Sequence, residues 1–105
     1  MSENLHAGHR EKLKQRFIEE GLESFEDHQI LEMLLFYTIP RRDTNELAHS
    51  LIKKFGTLEA IFDSSPEQLM ELGRVTKNTA VLLTMIPALS KKYMLLKQGK
   101  KPVLD

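Results

Sequence analysis

The chain has no cysteine, which excludes a disulfide framework, a thiolate nucleophile and a cysteine-ligated zinc site. It has no net charge either, because 15 Lys and Arg balance 15 Asp and Glu. That argues against nucleic-acid binding by bulk electrostatics, a term that grows with the number of phosphates neutralised. The N-terminal stretch MSENLHAGHREKLKQRF lacks the apolar core of a signal peptide, and the longest apolar run, Met33 to Phe36 with its neighbours, is far too short to span a bilayer. A soluble, cytoplasmic protein without a membrane partner is expected. No segment alternates apolar and polar residues over the length of a strand, so no sheet is expected. HExxH, Gly-x-Ser-x-Gly and phosphate-loop signatures are missing as well. His6 and His9 lie three apart on one expected helix, but no carboxylate or third histidine completes a metal site, while His28 and His49 stand isolated. The expectation is a non-catalytic chain with no cofactor and no metal.

What is present is a series of short apolar stripes with explicit start and stop signals. The length of 105 residues suits one domain that buries roughly two thirds of its unfolded surface. A first helix is expected from about Ala7 to Glu20, with Leu13, Phe17 and His9 inward, a basic outward face, and Gly21 ending it. Asp27 can cap a second helix whose Ile30, Leu31, Met33, Leu34, Leu35 and Phe36 point nearly all round the axis. Such a helix is central and buried, and Pro40 would close it. Asp43 can cap a third, carrying the stripe Leu47, Ala48, Leu51, Ile52 and Phe55 and closed by Lys53, Lys54 and Gly56. Thr57 starts a one- to two-turn helix. Ser65, Pro66 and Gln68 form a capping box that opens a short fifth helix to Leu72. After a tight turn from Gly73 to Thr76, Thr76 or Asn78 caps a long last helix bearing Ala80, Val81, Leu83, Met85, Ile86, Leu89 and Tyr93, with a kink expected from Pro87. The fold class is thus all-α, a compact bundle of five to six helices whose C-terminal half is helix-hairpin-helix-like.

Charge is unevenly spread. Arg10, Lys12, Lys14 and Arg16 crowd the first helix, and Lys77, Lys91, Lys92, Lys97, Lys100 and Lys101 dominate the end. Between them sit Glu19, Glu20, Glu23, Glu26, Asp27 and Glu32. The hairpin is the strongest candidate site. In such a device the N-terminus of the second helix turns unpaired N–H groups and the positive end of the helix dipole toward a phosphate. Glycines normally let the nucleic-acid backbone approach, but here Arg74 and Thr76 occupy those positions, and Val75 keeps the apolar plug into the core. Two outcomes stay open: Arg74, Thr76 and Lys77 supply side-chain phosphate contacts, or the hairpin is only a connector. Arg41 and Arg42 follow Pro40 in a rigid loop suited to phosphate forks, or to pairing with Glu46. Lys91 and Lys92 are candidate outer contacts.

Three segments, GHREKLKQRF, DHQILEMLLFYTIPRRDTNELAHSLIKKFG and TLEAIFDSSPEQLMEL leading into the hairpin, resemble in their order the N-terminal domain of the RadC-like family. These bacterial proteins are named for DNA repair and place a helical domain before a JAB/MPN metalloprotease-like domain. The resemblance covers about Ala7 to Leu89. It implies a helical domain over residues 1–97, with residues 98–105 a tail or the start of a linker to an absent JAB/MPN half. It also implies DNA as a partner, contacted along the phosphate backbone without sequence preference. Family members carry Gly-Ile-Gly where this chain has Arg74, Val75 and Thr76. The His-x-His pair and later Ser and Asp of the zinc hydrolase half are not in this sequence, so no zinc or peptidase activity is carried over. The alternative is a protein-interaction or homodimerisation domain that positions such a half, using an apolar surface around Phe36, Tyr37 and Ile39 or the run Tyr93 to Leu96.

Overall fold

Local signals set most of the helix boundaries, and burial sets their arrangement. A computed structural model of the chain describes residues 2–40 and 44–99. Among these it shows six helices and no strand: α1 (Ser2–Glu20), α2 (Asp27–Leu35), α3 (Thr44–Phe55), α4 (Leu58–Phe62), α5 (Pro66–Met70) and α6 (Lys77–Gly99). The all-α expectation holds. Gly21, Gly56 and Gly73 end α1, α3 and α5 at φ of 75°, 95° and 92°, the left-handed conformation that a side chain disfavours. Thr57 caps α4 by accepting a hydrogen bond from the Ala60 amide at 3.1 Å. The Ser65 box is complete, with the Gln68 amide donating to Ser65 Oγ at 3.1 Å and the Ser65 amide donating to Gln68 Oε1 at 2.9 Å.

Several expectations need correction. Glu26, not Asp27, caps α2, because its amide donates to Gln29 Oε1 at 2.9 Å. α2 ends at Leu35, and a run of turns carries the chain from Phe36 to Pro40, so the proline does not close the helix. α1 begins at Ser2, five residues before the expected start. α5 stops at Met70 rather than Leu72. The capping role expected for Asp43 falls outside the described residues.

α2 is the central element, as its all-round apolar pattern implies, and it serves two cores. Leu31 and Leu35 join Leu47, Ala48, Leu51, Ile61, Leu69, Val75, Ala80 and Leu83 in the main core. Burial of each large aliphatic side chain contributes about 1.5–3 kcal/mol. On its other side Phe36 packs with Leu13 of α1 and Phe25 of the α1–α2 turn. Phe36 is therefore buried and cannot belong to an open apolar patch.

Of the basic residues of α1, Lys12 is exposed as expected, whereas Arg10, Lys14 and Arg16 are half-buried over aromatic rings. Arg10 lies 4.7 Å from the centre of the Phe36 ring and donates to the carbonyls of Phe36 at 3.3 Å and Ile39 at 2.6 Å. Arg16 covers Phe25 at 4.7 Å, and Lys14 approaches Tyr37 at 5.8 Å. Burial lowers the Arg10 pKa below its ordinary value, and the Glu32 charge opposes that shift. Phe17, expected inside, is exposed. Glu32 is 1% exposed, takes His9 Nε2 at 2.9 Å, and accepts a bond from Asn45 Nδ2 at 3.4 Å. His28 and His49, far from isolated, stack across α2 and α3 with ring centres 4.3 Å apart.

α6 divides into two halves. Thr79, Ala80 and Leu83 are buried in the main core, whereas every residue from Ala88 to Gly99 is exposed, so Leu89 and Tyr93 are not core residues. The helix continues through Pro87. By length and composition alone α6 would be able to cross a membrane, although its first half is committed to the protein core.

Candidate nucleic-acid interface

The α5–α6 turn joins a five-residue helix to a 23-residue one through Glu71 to Thr76. Gly73 closes α5, its amide donating to the Met70 carbonyl at 3.1 Å. Val75 is 4% exposed and anchors the turn in the core, as its apolar character predicts. Thr76 then caps α6: its Oγ1 accepts a hydrogen bond from the Thr79 amide at 3.3 Å and lies 3.3 Å from Thr79 Oγ1. Thr79, fully buried, donates in turn to Thr38 Oγ1 at 2.8 Å. A chain of three hydroxyls therefore ties the turn to the segment that follows α2.

This tie decides which groups face outward. Of the α6 N-terminal amides, Thr79 is satisfied by the Thr76 side chain and Ala80 by the Thr76 carbonyl at 2.9 Å. The amides of Lys77 and Asn78 make no hydrogen bond within the described residues. Both residues are exposed, and no acidic residue occupies the first turn of α6. Two donors and the positive end of a 23-residue helix thus meet solvent beside the Lys77 ammonium.

Arg74 stands next to them, with Nη1 3.4 Å from Glu46 Oε1. Both side chains are about half exposed or more, and such a pair contributes only about 0–1 kcal/mol, so it does not lock the guanidinium. A groove of about 350 Å³ lies between Thr38, Ile39 and Pro40 on one side and Arg74 and Thr76 on the other. Arg74 and Thr76 line this groove, and Lys77 follows them in an exposed position. Arg41 and Arg42 lie outside the described residues. Lys91 and Lys92 are exposed but sit roughly 20 Å along the helix axis from Lys77, beyond the hairpin's own footprint. Glu46, foreseen as a partner for the Arg41 and Arg42 pair, is engaged by Arg74.

Sequence reasoning missed three contributors. The Asn78 amide has no side-chain signature, since any residue at that place offers the same N–H. Thr38 and Thr79 matter through their contact with each other across 41 positions, which no local pattern reveals. Among the described residues no group of three or more His, Asp and Glu is placed to hold a metal ion. In the His28–His49 stack the nitrogen lone pairs lie in the ring planes and so do not converge on one ion.

Comparison with known proteins places this geometry in context. The chain is 37% identical over 86 residues to a UPF0758 protein of Fusobacterium nucleatum, an alignment covering 82% of this chain. It is a homologue of that protein. UPF0758 is the RadC family, the one whose motif order the sequence resembles. The chain spans 37% of the length of that relative. No family model matches the chain, and no solved structure matches it.

Proposed function

We propose that this chain is the N-terminal helical domain of a RadC-like protein, non-catalytic by itself, and that it holds the phosphate backbone of DNA without reading sequence. The observation that carries the reading is the start of α6, where the Lys77 and Asn78 amides make no hydrogen bond within the described residues and Arg74 and Lys77 are both exposed. A phosphate oxygen seated there would accept from the two amides and be neutralised by the two side chains. The side chains of Arg74 and Thr76 leave less room for close backbone approach than Gly-Ile-Gly. The grip consequently relies on charge-assisted side-chain bonds more than on backbone donors. Nothing in it reaches a base edge, so the binding is indifferent to sequence.

The test is fluorescence anisotropy with labelled single-stranded, duplex and branched DNA across a salt series. Binding should weaken as salt rises. Replacing Arg74 and Lys77 together by Gln should lower affinity and reduce the slope of log affinity against log salt by roughly 0.9, the share of the one phosphate they neutralise. Absence of binding at low salt, or a double variant that binds like the parent, would sink the proposal. A second reading, a protein-interaction domain, draws on the exposed half of α6.

A further inference from the structure

The outer half of α6 exposes an apolar stripe among lysines, and the groove between α1 and α2 is an apolar hollow with carboxylates at one end. On α6, Leu82, Ile86, Leu89, Tyr93 and Leu96 follow one another at alternating spacings of four and three, the repeat of a seam that packs against another surface. Leu89, Tyr93 and Leu96 are each more than half exposed. Lys92 and Lys97 border that seam, and α6 contains no acidic residue anywhere along its length. Two such seams laid against each other would bring lysine to lysine, which disfavours α6 pairing with α6.

The groove has the opposite character. Phe17, Leu22, Ile30, Met33, Leu34 and Tyr37 line a hollow of about 150 Å³, a volume at which an apolar cavity accepts one benzene ring. The chain that forms one end of it, from the last turn of α1 to the first of α2, carries Glu19, Glu20, Glu23, Glu26 and Asp27, all exposed. Lys14, which lies over Tyr37, is balanced by Glu11 at 3.6 Å.

We infer that the outer half of α6 seats in the α1–α2 groove of a second copy of this chain, Tyr93 filling the hollow and Lys92 and Lys97 meeting the acidic rim. Reciprocal exchange buries both patches of both copies and closes a two-fold dimer. This interface is separate from the hairpin, and its readout is mass rather than DNA affinity.

Sedimentation equilibrium over a range of protein and salt concentrations tests it. The parent should dimerise, more weakly at high salt, and Tyr93→Asp should be monomeric. That position is exposed, and a helical circular dichroism spectrum with a cooperative thermal transition confirms that the variant still folds, its midpoint matching the parent's at concentrations low enough to dissociate the parent. The decisive arm is a charge exchange. One variant carries Lys92→Glu and Lys97→Glu, the other Glu19→Lys, Glu20→Lys and Glu23→Lys, which turns the rim net basic. Each alone should be monomeric, and an equimolar mixture should regain the dimer, because each acidic seam then meets a basic rim and each basic seam an acidic one. A parent that is monomeric at every concentration overturns the inference. So does a monomer that sediments with phosphatidylserine vesicles, which would assign α6 to a lipid surface, and so does a mixture that stays monomeric.

Discussion

Glu32 is a carboxylate in the middle of a helix that is otherwise a core element. Its desolvation is tolerated because His9 and Asn45 reach its two oxygens and Arg10 adds a favourable charge. The arrangement helps to pin α1 onto α2, beside the Arg10 bonds to the Phe36 and Ile39 carbonyls and the packing of Leu13. His9→Ala removes one of those partners and leaves Glu32 with fewer. Urea unfolding should show a loss of about 1–3 kcal/mol, the usual cost of an unsatisfied buried polar group. A loss near zero would mean that solvent reaches the carboxylate.

Among the elements, the punctuation was legible and the facing was not. Gly21, Gly56, Thr57, Ser65 with Pro66, and Thr76 all act within four residues of themselves, so the sequence displays them directly. The burial of Val75 was legible from its apolar character within the turn. The inward turn of Arg10, Lys14 and Arg16 depends on Phe36, Tyr37 and Phe25 arriving from elsewhere, and a charged helix face looks the same in sequence whichever way it points. Phe17 illustrates the converse: its spacing from Leu13 is that of an inner residue, yet it lines an open groove. Pro87 belongs to this scale too. It removes one hydrogen bond from α6 just where the helix leaves the core. Pro87→Ala should therefore raise the protection of the amides from Ala88 to Leu96 in hydrogen exchange, since Pro is about 3 kcal/mol worse than Ala inside a helix. Unchanged protection would show that the neighbouring residues already make good the missing bond.

At the scale of the whole molecule, stability and surface chemistry are divided between the two ends of α6. The main core takes Thr79, Ala80 and Leu83 and nothing beyond Pro87 that is fully covered. A chain ending at Ser90 should keep its thermal midpoint within a few degrees, a difference of about 1 kcal/mol or less at this size. It should also fail to self-associate. A large fall in the midpoint would mean that the outer half supports the fold directly. The neutral sum of charges conceals this division, because the charged residues of α6 are all lysines while Glu19, Glu20, Glu23, Glu26 and Asp27 flank the α1–α2 turn.

Because α6 runs unbroken from Lys77 to Gly99, the amides at its start and the seam toward its end share one rotational phase. A single residue inserted near Pro87 would turn one relative to the other by about 100° while lengthening the helix by only about 1.5 Å. Four would bring them back to within about 40°. Any partner that engages both ends at once is therefore reading an angle fixed by the helix, and drift in that angle, more than loss of any single side chain, is what such an assembly would be least able to absorb.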